Sequence, residues 1–222
     1  MILHAADIHK SFRHPVLQGV TFRAAPGEII GLAGENGSGK STLLSILTGF
    51  VKPDQGTVTK PDNKDIGYVP QETALFDTLN VADNLRFWAA AYGLPRSAWQ
   101  TALRDYFPEA DKTLLRKKAA QLSGGMKKRL SIVLAGLHNP TFIIMDEPTA
   151  ALDIGFKRVL QTQLAALRDA GRCAVFTSHQ PDELLWCDRI YVLRDGVFVY
   201  EGPPHGLGND FNAELYRLCH RK

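Results

Sequence analysis

The sequence predicts an α/β fold: a core built on a mostly parallel sheet, with an antiparallel β subdomain and an inserted α-helical subdomain. Three observations carry this reading. Apolar runs of strand length at 28–33, 142–145 and 172–177 alternate with helical stretches, as strands covered on both faces do. A glycine-rich loop joins the first of these runs to a segment rich in Leu and Ile, residues 41–47. Between 72 and 121 strand signals vanish, and Ala, Leu and charged residues take over, which reads as two or three inserted helices.

Taken in order, residues 2–8, 19–24 and 28–33 read as short strands, with Pro26-Gly27 as a turn between the last two. The helix after the glycine loop ends near Gly49, and Pro53-Asp54-Gln55-Gly56 is turn chemistry. Residues 57–59 and 66–69 are candidate strands, and the helical segment is broken at Gly93-Leu94-Pro95 and at Phe107-Pro108. A helix runs from Ser123 toward His138, and Asn139-Pro140 stops it because proline disfavours helix at the residue before it. Phe156, Leu160, Leu164 and Leu167 form a helical stripe ending at Gly171. Residues 181–186 read as a short helix, and 189–193 with 197–200 as a hairpin around Asp195-Gly196. The tail from Asp210 is helical. These boundaries place the core and the antiparallel β lobe in 1–71 and 139–222, and the helical subdomain in 72–138, within one domain spanning 1–222.

With 222 residues and 45% hydrophobic content, the chain can bury a substantial core. A net charge of +3 gives nucleic-acid binding no support. The basic runs Arg116-Lys117-Lys118 and Lys127-Lys128-Arg129 read as solvated helix faces. No apolar run reaches bilayer-spanning length, and the N-terminus lacks a signal-peptide pattern, so the expected place is the cytoplasm. Three cysteines without C-x-x-C spacing fit a reducing compartment and no zinc site, with Cys173 as a buried small residue.

The loop Gly34-Glu35-Asn36-Gly37-Ser38-Gly39-Lys40-Ser41-Thr42 is a G-x-x-x-x-G-K-[ST] match between a strand and a helix, the context in which it means a phosphate-binding loop. Glycines let backbone N–H groups curl around phosphate oxygens, and the helix start adds unpaired N–H groups and a positive dipole end. Lys40 would reach the β- and γ-phosphates, and the Ser41 hydroxyl would hold Mg²⁺. The run 142–145 delivers Asp146 and Glu147 at a strand's C-terminal end, where ligands bind in open α/β sheets. Asp146 would hold the Mg²⁺ shell, and Glu147 would polarise the attacking water. Leu122-Ser123-Gly124-Gly125-Met126 opens a second helix with Ser123 as N-cap and two glycines, a second phosphate-grade terminus that one nucleotide does not need.

These motifs together resemble the ATP-binding subunit of an ABC (ATP-binding cassette) transporter from about residue 3 to 200. The resemblance implies a P-loop NTPase core with Walker A at 34–42 and the signature, usually L-S-G-G-Q, at 122–126. It makes Gln71 the Q-loop residue and a third Mg²⁺ ligand beside Ser41 and Asp146, and Asp146 and Glu147 the Walker B aspartate and catalytic glutamate. Residues 150–153, ending in Asp153, match the D-loop, and His179 the switch histidine beside the γ-phosphate; the other six histidines read as surface residues. Phe12 lies where the family stacks an aromatic on adenine, although as a lone Phe near the N-terminus it could equally be core. Catalysis would rest on Lys40, Glu147 and His179. Ser123, Gly124, Gly125, Met126 and Asp153 would contact ATP held by a facing subunit in a head-to-tail dimer.

Two departures stand out. Met126 replaces the usual Gln, and 56–71 is short for the family, which implies a trimmed antiparallel lobe. The resemblance implies an ATPase using ATP and Mg²⁺, paired with a second ATP-binding subunit and a separate transmembrane permease subunit, on the cytoplasmic side of the membrane. Leu75, Phe76, Leu79, Phe87 and Trp88 fall in the segment that the family uses to grip the permease. The stretch 84–94 with 122–130 is similar to exporter-type subunits more than to importers. The alternatives are an importer subunit or a soluble ABC-type ATPase. A small GTPase is disfavoured because Asn63-Lys64-Asp65-Ile66 fails the N-K-x-D pattern at its last position.

Overall fold

A computed structural model describes residues 2–95, 97–107, 111–150 and 152–220. Pro108 of the expected break and Ala151 of the 150–153 motif lie outside the described residues. The chain opens with an antiparallel hairpin of β1 (Leu3–Ser11) and β2 (Pro15–Ala24). Both strands run longer than their apolar content suggests, because the hairpin register pairs Lys10 with Leu17 and Ser11 with Pro15. Pro15 is tolerated as the first residue of an edge strand. β3 (Ile29–Ala33) and α1 (Lys40–Thr48) flank the glycine loop, and Gly49 ends α1 in the left-handed conformation expected of a C-cap. β4 (Gln55–Thr59) pairs with β1, so the antiparallel sheet has the order β2-β1-β4 and is as small as the short 56–71 segment implies.

β5 (Ile66–Val69) leads into α2 (Val81–Ala91), α3 (Ala98–Tyr106) and α4 (Lys112–Arg116). Helix α2 starts where Asn80 Oδ1 accepts the Asp83 N–H at 2.8 Å, satisfying one of the donors a helix start leaves free. Asn84, fully buried, locks the preceding loop to this helix: its Oδ1 accepts from Phe76 N and its Nδ2 donates to the carbonyls of Phe76 and Asn80. Next come α5 (Gly124–Gly136), β6 (Phe142–Met145), α6 (Ile154–Asp169), β7 (Cys173–Thr177) and the short α7 (Pro181–Leu184). β8 (Arg189–Arg194) and β9 (Val197–Gly202) form the expected hairpin, and α8 (Phe211–Cys219) the helical tail. Asp195 and Gly196 both hold positive φ, 50° and 78°, as the tight turn requires.

Among the described residues the larger sheet has the order β5-β6-β7-β3-β8-β9, and β9 alone runs against its neighbour. Its central strands are buried throughout, and their period of two divides side chains between two cores. Ile30, Leu32, Phe142, Ile144, Cys173 and Val175 face the core shared with α1 and the β1–β2 hairpin. Ala33, Ile143, Met145, Ala174 and Phe176 face the core shared with α5, α6 and the helices after β5. A fully buried side chain such as Phe142 or Leu44 contributes about 1.5–3 kcal/mol, so both faces of the sheet are anchored before any polar contact is counted. Among the described residues no helix is long and apolar enough to cross a membrane.

Two expectations are corrected here. Lys127-Lys128-Arg129 is not a solvated face. At about 100° per residue, three consecutive helix positions cannot all point outward when the opposite face is packed. Lys128 is 5% exposed, and the Arg129 guanidinium lies 4.2 Å from the ring centroid of Phe107 and 4.3 Å from that of Phe156. Nor are all six remaining histidines surface residues, since His138 is half-buried and stacks on Tyr92 with ring centroids 4.0 Å apart.

Candidate active site

The glycine loop is shaped by what its neighbours forbid. Gly34 has φ 148°, and a Cβ there would meet Leu193 O at 2.2 Å; Gly39 has φ 109°, and a Cβ there would meet Leu17 Cδ2 at 2.9 Å and Val16 O at 3.0 Å. The loop is thus pressed between the end of β8 and the start of β2, a fit open only to glycine. Gly39 carries no side chain to cap α1, so the first N–H groups of that helix are left for a ligand. A Cβ on Gly37 would meet nothing within 4 Å, which leaves that side of the loop open. These features fit a bound polyphosphate.

Lys40, 6% exposed, donates from Nζ to the carbonyls of Gly34 at 2.8 Å and Glu35 at 2.9 Å, tying the loop's entrance to its exit. Burial lowers its pKa, and the carboxylates of Glu147 and Asp146 oppose that shift. An open cleft of about 580 Å³ brings Asn36, Gly37, Gly39, Lys40, Ser41 and Thr42 together with Val16, Gln71, Glu147 and His179.

The two acids arrive as β6 ends. Asp146 is 3% exposed, and its Oδ1 accepts from Thr177 Oγ1 at 2.7 Å. The same Thr177 oxygen accepts the Glu147 N–H at 2.7 Å, so one hydroxyl on β7 positions both acids. Glu147 holds φ 46°, a left-handed conformation that costs a non-glycine residue on the order of 1–3 kcal/mol and that aims its side chain away from the line of the strand. Its Oε1 lies 2.7 Å from His179 Nε2, and its Oε2 accepts from Gln71 Nε2 at 3.4 Å. A carboxylate only accepts, so the imidazole Nε2 carries the hydrogen of that contact. The cleft therefore pairs a phosphate-grade loop with a carboxylate held between an amide and an imidazole, the parts needed to orient and deprotonate a water molecule.

The second glycine-rich terminus is built as expected but lies elsewhere. Ser123 caps α5, its Oγ accepting from Met126 N at 3.3 Å; Ser123 and Gly124 are exposed, and none of 123–126 lines the cleft. Asp153 caps α6, with Oδ1 accepting from Phe156 N at 2.9 Å, so its carboxylate already has a structural task. Phe12 is 64% exposed in the turn between β1 and β2, which removes the core alternative; Lys10 Nζ sits 5.4 Å from its ring, and the ring does not line the cleft.

Several participants escaped the sequence reading. Val16 and Thr177 carry no motif signature of their own. Lys128, hidden in a basic run, donates to the carbonyls of Pro70, Gln71 and Asp146. Glu183, 2% exposed, accepts from Thr149 Oγ1 at 2.7 Å and Ser178 Oγ at 2.5 Å and pairs with Lys157 at 2.8 Å. It joins the turn after the acids to the segment that carries His179. The tail also returns to the loop: His220 Nε2 lies 3.2 Å from Glu35 Oε1.

Comparison with known proteins places this architecture. Residues 17–150, more than half of the chain, match the family model described as "ABC transporter". The chain is 34% identical over 214 residues to the linearmycin resistance ATP-binding protein LnrL of Bacillus subtilis (strain 168), covering 90% of this chain and 69% of that protein. It is 32% identical over 215 residues to a Nod factor export ATP-binding protein I of Rhizobium etli, covering 91% and 68%. A Marinobacter nauticus relative named for spermidine/putrescine import is 32% identical over 216 residues, covering 91% of this chain and 58% of that protein. A dimeric ATP-binding cassette solved in a post-hydrolysis state with ADP and Pi superposes with a TM-score of 0.82 at 26% identity, covering 90% of this chain and 98% of that one. The chain belongs to the ABC transporter family, as an ATP-binding subunit that hydrolyses ATP.

Proposed function

We propose that this chain powers export through a separate membrane permease, working as one half of a two-site dimer, with its core and antiparallel lobe in 1–71 and 139–222 and its helical subdomain in 72–138. The observation that carries the catalytic part is the Glu147 carboxylate, held 2.7 Å from His179 at the cleft that Lys40 and Ser41 line. In this reading the loop 34–42 wraps the phosphates, Lys40 turns its ammonium from the Gly34 and Glu35 carbonyls to the β- and γ-phosphates, and Phe12 offers its exposed ring to adenine. Glu147 takes the proton of the attacking water, while His179 and Gln71 hold its two oxygens in place. Mg²⁺ would be held by Ser41, Gln71 and Asp146 and would neutralise charge building on the phosphates.

The trans site follows from where the second terminus lies. Ser123 and Gly124 present an exposed, capped helix start outside their own cleft, and with Gly125, Met126 and Asp153 they contact nucleotide bound to a facing subunit. That subunit is an identical chain or a second cassette. Permease docking falls to the aromatic cluster of Phe76, Phe87, Trp88 and Tyr92. Phe76 and Phe87 meet edge to face at 4.7 Å and are 42% and 48% exposed, a patch of the kind that marks a partner surface. Attachment there would hold the chain on the cytoplasmic side of the membrane.

Import is the second reading, favoured by the polyamine-import relative. The experiment is to purify the chain in mild detergent, identify the membrane protein that comes with it, and assay Mg²⁺-dependent ATP hydrolysis. Replacing Phe87 and Trp88 together should release the chain from membranes with nucleotide binding intact. Unchanged co-fractionation would remove the docking role.

A further inference from the structure

Lys128 is the second of three consecutive basic residues on α5, and it does not line the cleft. It is 5% exposed, and burial lowers its pKa against the opposing pull of Asp146 and Glu147. A buried ammonium is costly unless its donors are all matched. Here three donors meet three acceptors: Nζ reaches the Pro70 carbonyl at 3.1 Å, the Gln71 carbonyl at 2.9 Å and the Asp146 carbonyl at 3.3 Å. Those carbonyls belong to two separate segments, the chain leaving β5 and the end of β6. Two of the three residues also send side chains toward the chemistry: Gln71 Nε2 to Glu147, and Asp146 Oδ1 to the Thr177 hydroxyl.

The helix that carries Lys128 begins at Ser123 and Gly124, the exposed terminus that does not line this subunit's own cleft. A helix is stiff over that short distance, so whatever engages Ser123 moves Lys128 with it. Beside it, Lys127 pairs with Asp77 at 2.8 Å, tying the same turn to the segment that follows Gln71.

We propose that Lys128 is a positioning residue that couples the two nucleotide sites of the dimer: engagement of the facing subunit's nucleotide by the start of α5 is transmitted through its ammonium to the Gln71 and Asp146 main chain. The inference rests on the trans contact of 123–126 proposed above. Hydrolysis in one cleft then depends on occupancy of the other, because the helix start that meets the partner's nucleotide also carries the ammonium that holds the Gln71 and Asp146 carbonyls. An ammonium suits this task, since its three donors converge on carbonyls from different segments while a planar guanidinium spreads its donors in a fork.

The test uses the full chain and measures ATPase rate against ATP concentration, with fluorescent ATP analogue binding at low protein concentration as a control for folding that does not need the dimer. Wild type should give a Hill coefficient approaching two, the limit for about two coupled sites. Lys128→Met should bring it to about one and lower kcat by roughly tenfold or more through misalignment, with analogue binding unchanged. Lys128→Arg, which keeps charge and donors, should restore part of both. A wild-type Hill coefficient and kcat in Lys128→Met would overturn the proposal. So would a loss of analogue binding in Lys128→Met that Lys128→Arg fails to rescue, which would make Lys128 a folding tie. Gly124→Asp separates the two readings. A Cβ at Gly124 meets nothing within 4 Å, so this variant folds while setting a carboxylate against the partner's phosphates. If Gly124→Asp keeps full activity and wild type is not cooperative, the trans site itself fails and the Lys128 coupling falls with it.

Discussion

Thr177 and Glu147 share one hydrogen bond that holds the main chain from which the Glu147 carboxylate projects. The Glu147 N–H donates to Thr177 Oγ1 at 2.7 Å, and the same hydroxyl donates onward to Asp146 Oδ1 at 2.7 Å. A hydroxyl can accept and donate at once, so a single side chain on β7 holds Glu147 in its left-handed conformation and Asp146 in its buried one.

Thr177→Val keeps the shape and removes both bonds. It leaves a buried N–H and a buried carboxylate oxygen unsatisfied, a loss of about 1–3 kcal/mol in unfolding free energy. ATP hydrolysis should fall by roughly tenfold or more as Glu147 loses its orientation. Urea unfolding and steady-state ATPase assays check the two effects separately.

Glu147→Gln keeps the size of the side chain and removes the carboxylate proposed as the base. Hydrolysis should slow by at least about a hundredfold while ATP binding persists, and the ATP-bound dimer should accumulate on size exclusion. A variant that turns over at the wild-type rate would sink the assignment.

Lys157→Met tests the buried acid that supports the His179 segment. Glu183 would keep its bonds from Thr149 and Ser178 but lose its ion pair with Lys157 at 2.8 Å. The expected loss is roughly 1–3 kcal/mol, seen as a lower urea midpoint. Lys157→Met combined with Glu183→Gln should recover part of it, because the double variant no longer buries an uncompensated charge.

Acid sensitivity should trace in part to Asp54. Its carboxylate accepts from Lys10 Nζ and from the Ser11 N–H, each at 2.7 Å, and these bonds, the lysine's first, hold its pKa below the ordinary value. A depressed folded-state pKa adds stability that is complete above the unfolded-state pKa and is lost as pH falls through the folded one. The Tm gap between wild type and Asp54→Asn should therefore be widest at neutral pH and shrink below about pH 4. A gap that stays constant down to strong acid would refute this.

Legibility differed by the kind of signal. The strand–loop–helix around Gly34 to Thr42 was readable because its backbone demands glycine at Gly34 and Gly39 and its chemistry demands a lysine followed by a hydroxyl, and both demands are local. The strand 142–145 was readable from its unbroken apolar run and ends where the structure ends it. β1 and β2 were read short because Lys10, Pro15 and Gln18 carry no apolar pattern; pairing with each other extends them. Thr177 and Glu183 were silent because a hydroxyl or an acid after an apolar strand is common, and only distance to Asp146 or Thr149 gives it a task.

The sequence by itself determined that a triphosphate loop, a pair of acids on a strand end and a second glycine-capped helix coexist in one α/β chain. These are properties of short segments, set by spacing and residue type. Tertiary structure decided which of them meet. It gathered Gln71 and His179, drawn from two distant segments, around the Glu147 carboxylate, and it kept Ser123 out of that cleft. It also turned Lys128 inward, against the reading of its basic run, because the packing of α5 on the β5–β6 edge leaves three carbonyls there that need a donor. Burial and convergence of this sort arise from contacts between residues far apart in sequence, which no local pattern encodes.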